Sequence, residues 1–381
     1  MKKEEEISRN IYLLGGSSFF NDIGSEMITP IIPFYITALG GTGIAVGLIS
    51  GLREGLASLL KVFGGWFSDK IGKRMPFVFF GYIFSVIFRL LLGFANSWQY
   101  ILSFLSFERF GKLRDAPRDA LISQSAKKAG SVFGLHQAMD TAGGIIGTLI
   151  VIFLFWKLQL SIKSVIFIAA GISALSLVPL FFVKEHKTKR TKAGIFLEIK
   201  KLNPKLKYFI FVSSVFALAN FGLYMFMILK AKEITGSIVM PLVLYAVFGF
   251  VYAVFSVPFG NLSDRIGRKK LILAGYLLFL AVGMSFLFFN SLVSLVILFV
   301  LYGLVFALTQ GNQRAFVSDL SDKNRKGTSY GLFGTITGIV NILGGFIAGI
   351  LWDVNHNVMF AYLSAVAFVS VLLLMFVKER K

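Results

Sequence analysis

Gly65-Trp66-Phe67-Ser68-Asp69-Lys70-Ile71-Gly72-Lys73-Arg74 returns as Gly260-Asn261-Leu262-Ser263-Asp264-Arg265-Ile266-Gly267-Arg268-Lys269, at a constant offset of 195 residues. Both copies join apolar runs. Working outward, Gly130, Gly134, Leu135 and Gly147 recur as Gly327, Gly331, Leu332 and Gly344, at an offset of 197. Two echoes at nearly one offset make the chain a duplicated unit. In each loop the glycines permit a tight turn, the aspartate can cap a helix amino terminus, and the basic residues suit a phosphate-rich surface.

The apolar runs decide what is duplicated. Of the 381 residues 56% are hydrophobic and 15% charged, at a mean hydropathy of +0.76, more apolar surface than a water-soluble core could hold. The runs are mostly about 20 residues or longer, the length of a helix crossing the hydrocarbon of a bilayer, whereas an outer-membrane barrel alternates in segments of about ten. The pattern predicts twelve helices, at 11–38, 44–67, 76–95, 98–122, 131–156, 160–183, 207–230, 238–262, 271–290, 293–318, 328–352 and 357–377. The fold expected is all-α and integral to the membrane: two six-helix bundles, 1–183 and 207–381, joined by a basic linker at 184–206. Apolar residues spaced among the lysines of that linker suit a short helix lying in the interface. The first helix is too long for the apolar region of a cleaved signal peptide and is expected to be retained.

A net charge of +20 would suggest nucleic acid in a soluble protein, so the placement of the 39 Lys and Arg residues matters. If both termini share the cytoplasmic side, 27 of them fall in cytoplasmic segments and 4 (Lys157, Lys163, Lys230, Lys232) in outer ones. That asymmetry predicts a multi-pass protein of the cytoplasmic membrane with both termini inside. The basic residues then face anionic lipid, and a nucleic-acid partner loses its motivation. Cysteine is absent, which excludes disulfides and thiolate metal sites, and histidines at 136, 186 and 356 have no metal-site spacing. No metal or other cofactor is expected.

The repeated loop, G-x-x-x-D-[RK]-x-G-[RK]-[RK], resembles the signature loop of the major facilitator superfamily, over essentially the whole chain. The stretch from Glu108 to Leu121 is similar to that of a largely uncharacterised archaeal and bacterial branch. The resemblance implies alternating access: two bundles rock about a central site lined by helices 1, 4, 7 and 10. It also implies gating loops, at Gly65, Asp69, Gly72, Lys73 and Arg74 and again at Gly260, Asp264, Gly267 and Arg268. Asp69 would tie the first bundle to helix 11 in the outward-facing state, together with an arginine of helix 4. A purely structural turn is the alternative.

The remaining signal is charge at membrane depth, concentrated in the first half: Asp22, Glu26, Arg53, Glu54, Lys61, Arg89, Glu108, Arg109, His136 and Asp140. Nine lipid-facing charges would cost roughly 25 kcal/mol at about 3 kcal/mol each, so most must face a cavity or a partner. Asp22 and Glu26, four residues apart, share one face of a helix that Pro30 and Pro33 can bend. They read as a proton-loading pair or as struts held by Arg53 or Arg109. Arg109 reads as a clamp for a solute carboxylate or phosphate, or as counter-ion to Glu26, Glu54 or Asp140. Arg53 and Glu54 point about 100° apart, so only one can face a given partner. Arg89 is expected to snorkel or bridge helices, and Asp140 is favoured over His136 as the working member of its pair.

Gly134, Gly143 and Gly147 match the first glycines of a motif that the resemblance connects with proton-driven efflux, but Thr148, Val151 and Ile152 break it, and close helix packing is the alternative. In the second half Asn220 and Tyr224 on helix 7 and Gln310, Asn312, Gln313 and Arg314 on helix 10 are the polar groups expected to face the cavity. The function expected is secondary transport of a small, polar or charged solute such as a zwitterion or organic anion, coupled to protons through Asp22, Glu26 or Asp140. The alternative is a facilitator-like sensor, lipid mover or assembly factor that concentrates no solute. An enzyme is disfavoured, for no nucleophile-base pair, phosphate loop or metal site is found.

Overall fold

The structure is a computed structural model that describes every residue except 1, 125–128, 186–201, 323–325 and 378–381, and omits the side chains at 2–8, 62, 69, 124 and 129–133. The interfacial helix expected in the linker lies outside the described residues.

The described chain is helical throughout, in twelve spans. The first is interrupted: α1 (Lys2–Ile28) passes through a 3-10 turn (Thr29–Ile31) into α2 (Ile32–Ala38), because Pro30 and Pro33 lack the amide that would continue the ladder. The second and third are single helices, α3 (Gly43–Ile71) and α4 (Met75–Leu92). In the fourth, α5 (Trp98–Phe110) and α6 (Asp115–Gln124) flank a 3-10 turn, and α7 (Ala129–Trp156) is the fifth. The sixth is α8 (Ile162–Ala174), ending in 3-10 turns around Pro179. The seventh is broken between α9 (Pro204–Ala217) and α10 (Tyr224–Thr235). The rest are α11 (Val239–Ile266), α12 (Arg268–Phe288), α13 (Leu292–Leu320), α14 (Lys326–Val354) and α15 (His356–Met375).

Nine of the described spans are long and apolar enough to cross a membrane by length and composition. The three that fall short are the first, fourth and seventh. One is polar and broken by proline; the others are assembled from pieces of 13 and 10, and of 14 and 12, residues. Phe80, Phe94, Phe250, Val257 and Phe288 point outward, as residues facing lipid must.

The chain divides into two compact units, residues 1–39 with 59–193 and residues 40–58 with 194–381. In the first, α1 packs along α7 and α8, and α4 along α5 and α8. A Cβ on Gly143 would stand 2.6 Å from the Phe19 carbonyl oxygen, and one on Gly147 would collide with that of Ile23, so these glycines let α1 and α7 touch backbone to backbone. In the second unit a Cβ on Gly344 would stand 2.6 Å from the Leu218 carbonyl oxygen. Gly147 with Ile23 and Gly344 with Leu218 are the same contact in the two repeats.

The first half of α3 packs within the second unit. Gly43, Gly47, Gly51 and Gly55, one turn apart, lie against the backbone of Gly349, Gly345, Asn341 and Gly338 of α14, too close for a side chain at any of the α3 glycines. At the end of this seam the Asp353 carboxylate accepts the amides of Gly43 and Ile44, at 2.6 and 3.0 Å, capping α3 from another helix.

Candidate functional site

In the first unit α1 and α7 bring four ionisable groups together. Asp22 and Glu26 lie half-buried on α1, and the Glu26 Cγ is 3.5 Å from where a Gly144 Cβ would be, one turn from Asp140 on α7. Asp140 stands in the field of Asp22 and of Arg118 from α6. His136 Nδ1 is 3.6 Å from Asp140 Oδ1, beyond a hydrogen bond. That oxygen and both ring nitrogens of the buried His136 have no hydrogen-bond partner among the described residues. His136 is therefore not the satisfied polar residue that its position suggests. Buried polar groups are nearly always paired, so a group left unpaired points to a water, an ion or a change of state.

A second cluster in this unit is built on ion pairs and hydrogen bonds between helices. Arg89 donates through Nη1 to the Asn21 carbonyl oxygen and Oδ1, both at 2.9 Å, and to Ser173 Oγ at 2.8 Å. Its Nη2 lies 3.0 Å from Glu108 Oε1, and Arg109 Nη2 is 2.6 Å from Glu108 Oε2. Arg89 thus bridges helices rather than snorkelling. The partner of Arg109 is its chain neighbour Glu108, and none of Glu26, Glu54 or Asp140. Arg114, also buried, donates to the carbonyls of Gly81 and Gly111 and to Ser85 Oγ, with its guanidinium 4.2 Å from the Tyr82 ring centroid. Residues 19 apart on different helices carry no periodic signal, which is why this cluster is invisible in the sequence.

In the second unit the polar groups gather where the seventh span breaks. Ser50 Oγ donates to the Gly222 carbonyl at 2.8 Å, and Gly222 holds a positive φ of 110°, which favours glycine. The Tyr302 hydroxyl donates to Asn220 Oδ1 at 2.8 Å and interacts with the backbone of Tyr224, the first residue of α10. Tyr224, Tyr245, Phe248 and Tyr302 form a continuous aromatic run with centroid separations of 5.7, 5.7 and 5.3 Å. Glu54 lies in the field of Tyr302 and is exposed, while Arg53 beside it is buried, as their angular separation requires. Gln310 is half-buried on α13, and Gln313, not Gln310, donates to the Tyr276 hydroxyl at 3.0 Å.

The repeated loops fold alike. Gly72 and Gly267 both take positive φ, 74° and 103°, their amides donate to Ser68 and Ser263, and those serine hydroxyls donate to Gly65 and Gly260. The Asp69 side chain lies outside the described residues. Its counterpart Asp264 is 2.6 Å from Arg268 Nη2, and Arg268 Nε reaches Asp319 at 2.5 Å. Lys73 borders a cavity of about 560 Å³ with Pro76, Phe79, Phe181 and Glu185, and the Glu185 carboxylate takes the Arg74 and Met75 amides that open α4.

Comparison with known proteins agrees with this architecture. The protein is 45% identical to the uncharacterized MFS-type transporter MJ1317 of Methanocaldococcus jannaschii, over 99% of this chain and 96% of that one. It is 25% identical to multidrug resistance protein MdtH of Photorhabdus laumondii, over 88% and 84%. The crystal structure of the nucleoside transporter NupG superposes with a TM-score of 0.79 at 15% identity, covering 96% of this chain and 98% of that one. The profile of the Major Facilitator Superfamily matches residues 14–243 and again 209–381. With twelve spans in two repeats and a signature loop in each, the chain is a member of the major facilitator superfamily, an all-α multi-pass membrane protein of its transporter class.

Proposed function

We propose that this protein is a proton-coupled secondary transporter that exports a small solute across the cytoplasmic membrane by alternating access. The observation that carries the coupling is the buried His136 one turn from the half-buried Asp140, with both ring nitrogens and Asp140 Oδ1 without hydrogen-bond partners among the described residues, and Asp22 and Glu26 beside them. Placing a proton on one of two neighbouring carboxylates relieves their repulsion, and His136 is within a small rotation of passing it on. Arg118 competes for the same proton position by attracting Asp140, so substrate or conformational change at α6 would alter its occupancy.

The export direction is supported by the relationship to the multidrug resistance protein MdtH. The distribution of basic loops supports cytoplasmic termini. The two repeats would act as bundles at 1–183 and 207–381, with the linker 184–206 between them and the loops at Asp69 and Asp264 as gates. The test is a reconstituted one. Proteoliposomes carrying a lumenal pH dye and an imposed pH gradient are given a solute panel, with wild type and Asp140→Asn side by side. Solute-triggered proton movement that disappears in Asp140→Asn is expected, and a flux equal in both proteins would overturn the coupling.

A further inference from the structure

We propose that Glu54 and the aromatic run beside the break of the seventh span form a subsite for a positively charged group, so that the solute carried is an organic cation or bears an ammonium. This deepens the transporter reading and rests on it.

Glu54 is residue 12 of the 29 in α3, roughly 17 Å along the helix from its start and so well inside the hydrocarbon thickness. Its side chain is exposed, and among the described residues no cation pairs with it. An ionisable residue at such depth marks a substrate or ion path unless it is paired. Arg53, the adjacent cation, is buried about 100° away around the helix.

The surroundings select the sign of the missing partner. The Glu54 Cγ and the Tyr224 ring edge both lie 3.6 Å from one point beside Gly222, so carboxylate stem and aromatic ring share a corner. From there the ring faces continue through Tyr245, Phe248 and Tyr302. Aromatic faces attract cations through the ring quadrupole and repel anions, and a carboxylate among them adds a direct counter-charge. Tyr224 opens α10, and the amino terminus of a helix favours a neighbouring anion. The oxygen atoms around the break are already occupied, Asn220 Oδ1 by Tyr302 and the Gly222 carbonyl by Ser50, so the subsite keeps its shape without a ligand.

The experiment measures binding by the purified, full-length protein, with tetraphenylphosphonium as cationic probe and tetraphenylborate as anion of the same shape. Wild type is expected to bind the cation in preference to the anion, and Glu54→Gln to weaken the cation about tenfold or more while leaving the anion unaffected. Tyr245→Leu should weaken it several-fold by removing one ring face, which a merely structural carboxylate would not require. Thermal melting of each variant establishes that it is folded. Folded wild type that binds no cation, or a Glu54→Gln variant that binds it equally well, would overturn the proposal. So would transport of an anionic or neutral solute in proteoliposomes that is indifferent to Glu54→Gln, and that result would leave the transporter reading intact. Glu54-dependent cation binding without any transport would support the subsite and count against transport alone.

Discussion

Glu108 holds two arginines at once, and the cost of removing it is set by what it would leave behind. Glu108→Gln strands Arg89 and Arg109 in a buried site without their counter-charge. Breaking a buried pair from one side costs about 3 to 5 kcal/mol, so the purified variant should melt well below wild type or fail to accumulate. Asp140 predicts the opposite. Its Oδ1 and both His136 nitrogens lack hydrogen-bond partners among the described residues, so Asp140→Asn removes a charge and none of the hydrogen bonds described. Its melting temperature should equal or exceed that of wild type while proton movement is lost, the trade expected where a site is kept for function. The sequence discloses that these residues lie at membrane depth, because depth follows from position along an apolar run. It does not disclose that Glu108 meets Arg89 and that Asp140 Oδ1 makes no hydrogen bond among the described residues, because partner choice depends on side chains from helices far apart in the chain.

Elements were more legible than partners. The twelve spans and the bend at Pro30 and Pro33 follow from apolar length and from proline's missing amide. The break in the seventh span does not follow, for it holds no interior proline to announce one; hydroxyl and amide contacts from other helices, such as Ser50 to Gly222, stabilise it, whereas Pro117, just past the 3-10 turn of the fourth span, is a signal that apolar length alone passes over. Glycine spacing was a signal only partly used. The close-packing alternative for Gly143 and Gly147 describes what these residues do, whereas the four glycines at Gly43, Gly47, Gly51 and Gly55 form an equally regular seam that charge-centred reading passes over. Gly147→Val and Gly344→Val should each destabilise their unit by about 1 to 3 kcal/mol through overpacking, read as a fall in melting temperature. Equal tolerance of valine at both positions would contradict the backbone contacts described in the two repeats.

At the scale of the whole molecule, the duplicated loop makes the family legible from one stretch of sequence, since the same serine-to-glycine turn recurs 195 residues on. The specialisation of the repeats is less legible. The first unit carries Asp140 and His136, and the second carries the aromatic run with Glu54, so the two proposed tasks fall in separate units. Substitutions at sites without shared partners combine additively. Asp140→Asn should therefore leave cation affinity unchanged within about twofold, and Glu54→Gln should leave proton release by the solute-free protein unchanged; a double variant should show the simple sum of the single effects.

Helix α3 belongs to both units at once: residues 43–58 are packed in the second and 59–71 in the first, with no interruption in its backbone ladder. An unbroken helix is a stiff rod, so a disturbance at one end is either absorbed by a local opening or felt along its whole length. Loosening of the glycine seam with α14 is therefore expected either to open α3 near residue 58 or to run through it. Amide hydrogen exchange along the one helix would tell which, as a step in protection at the boundary for a hinge and a uniform profile for a lever.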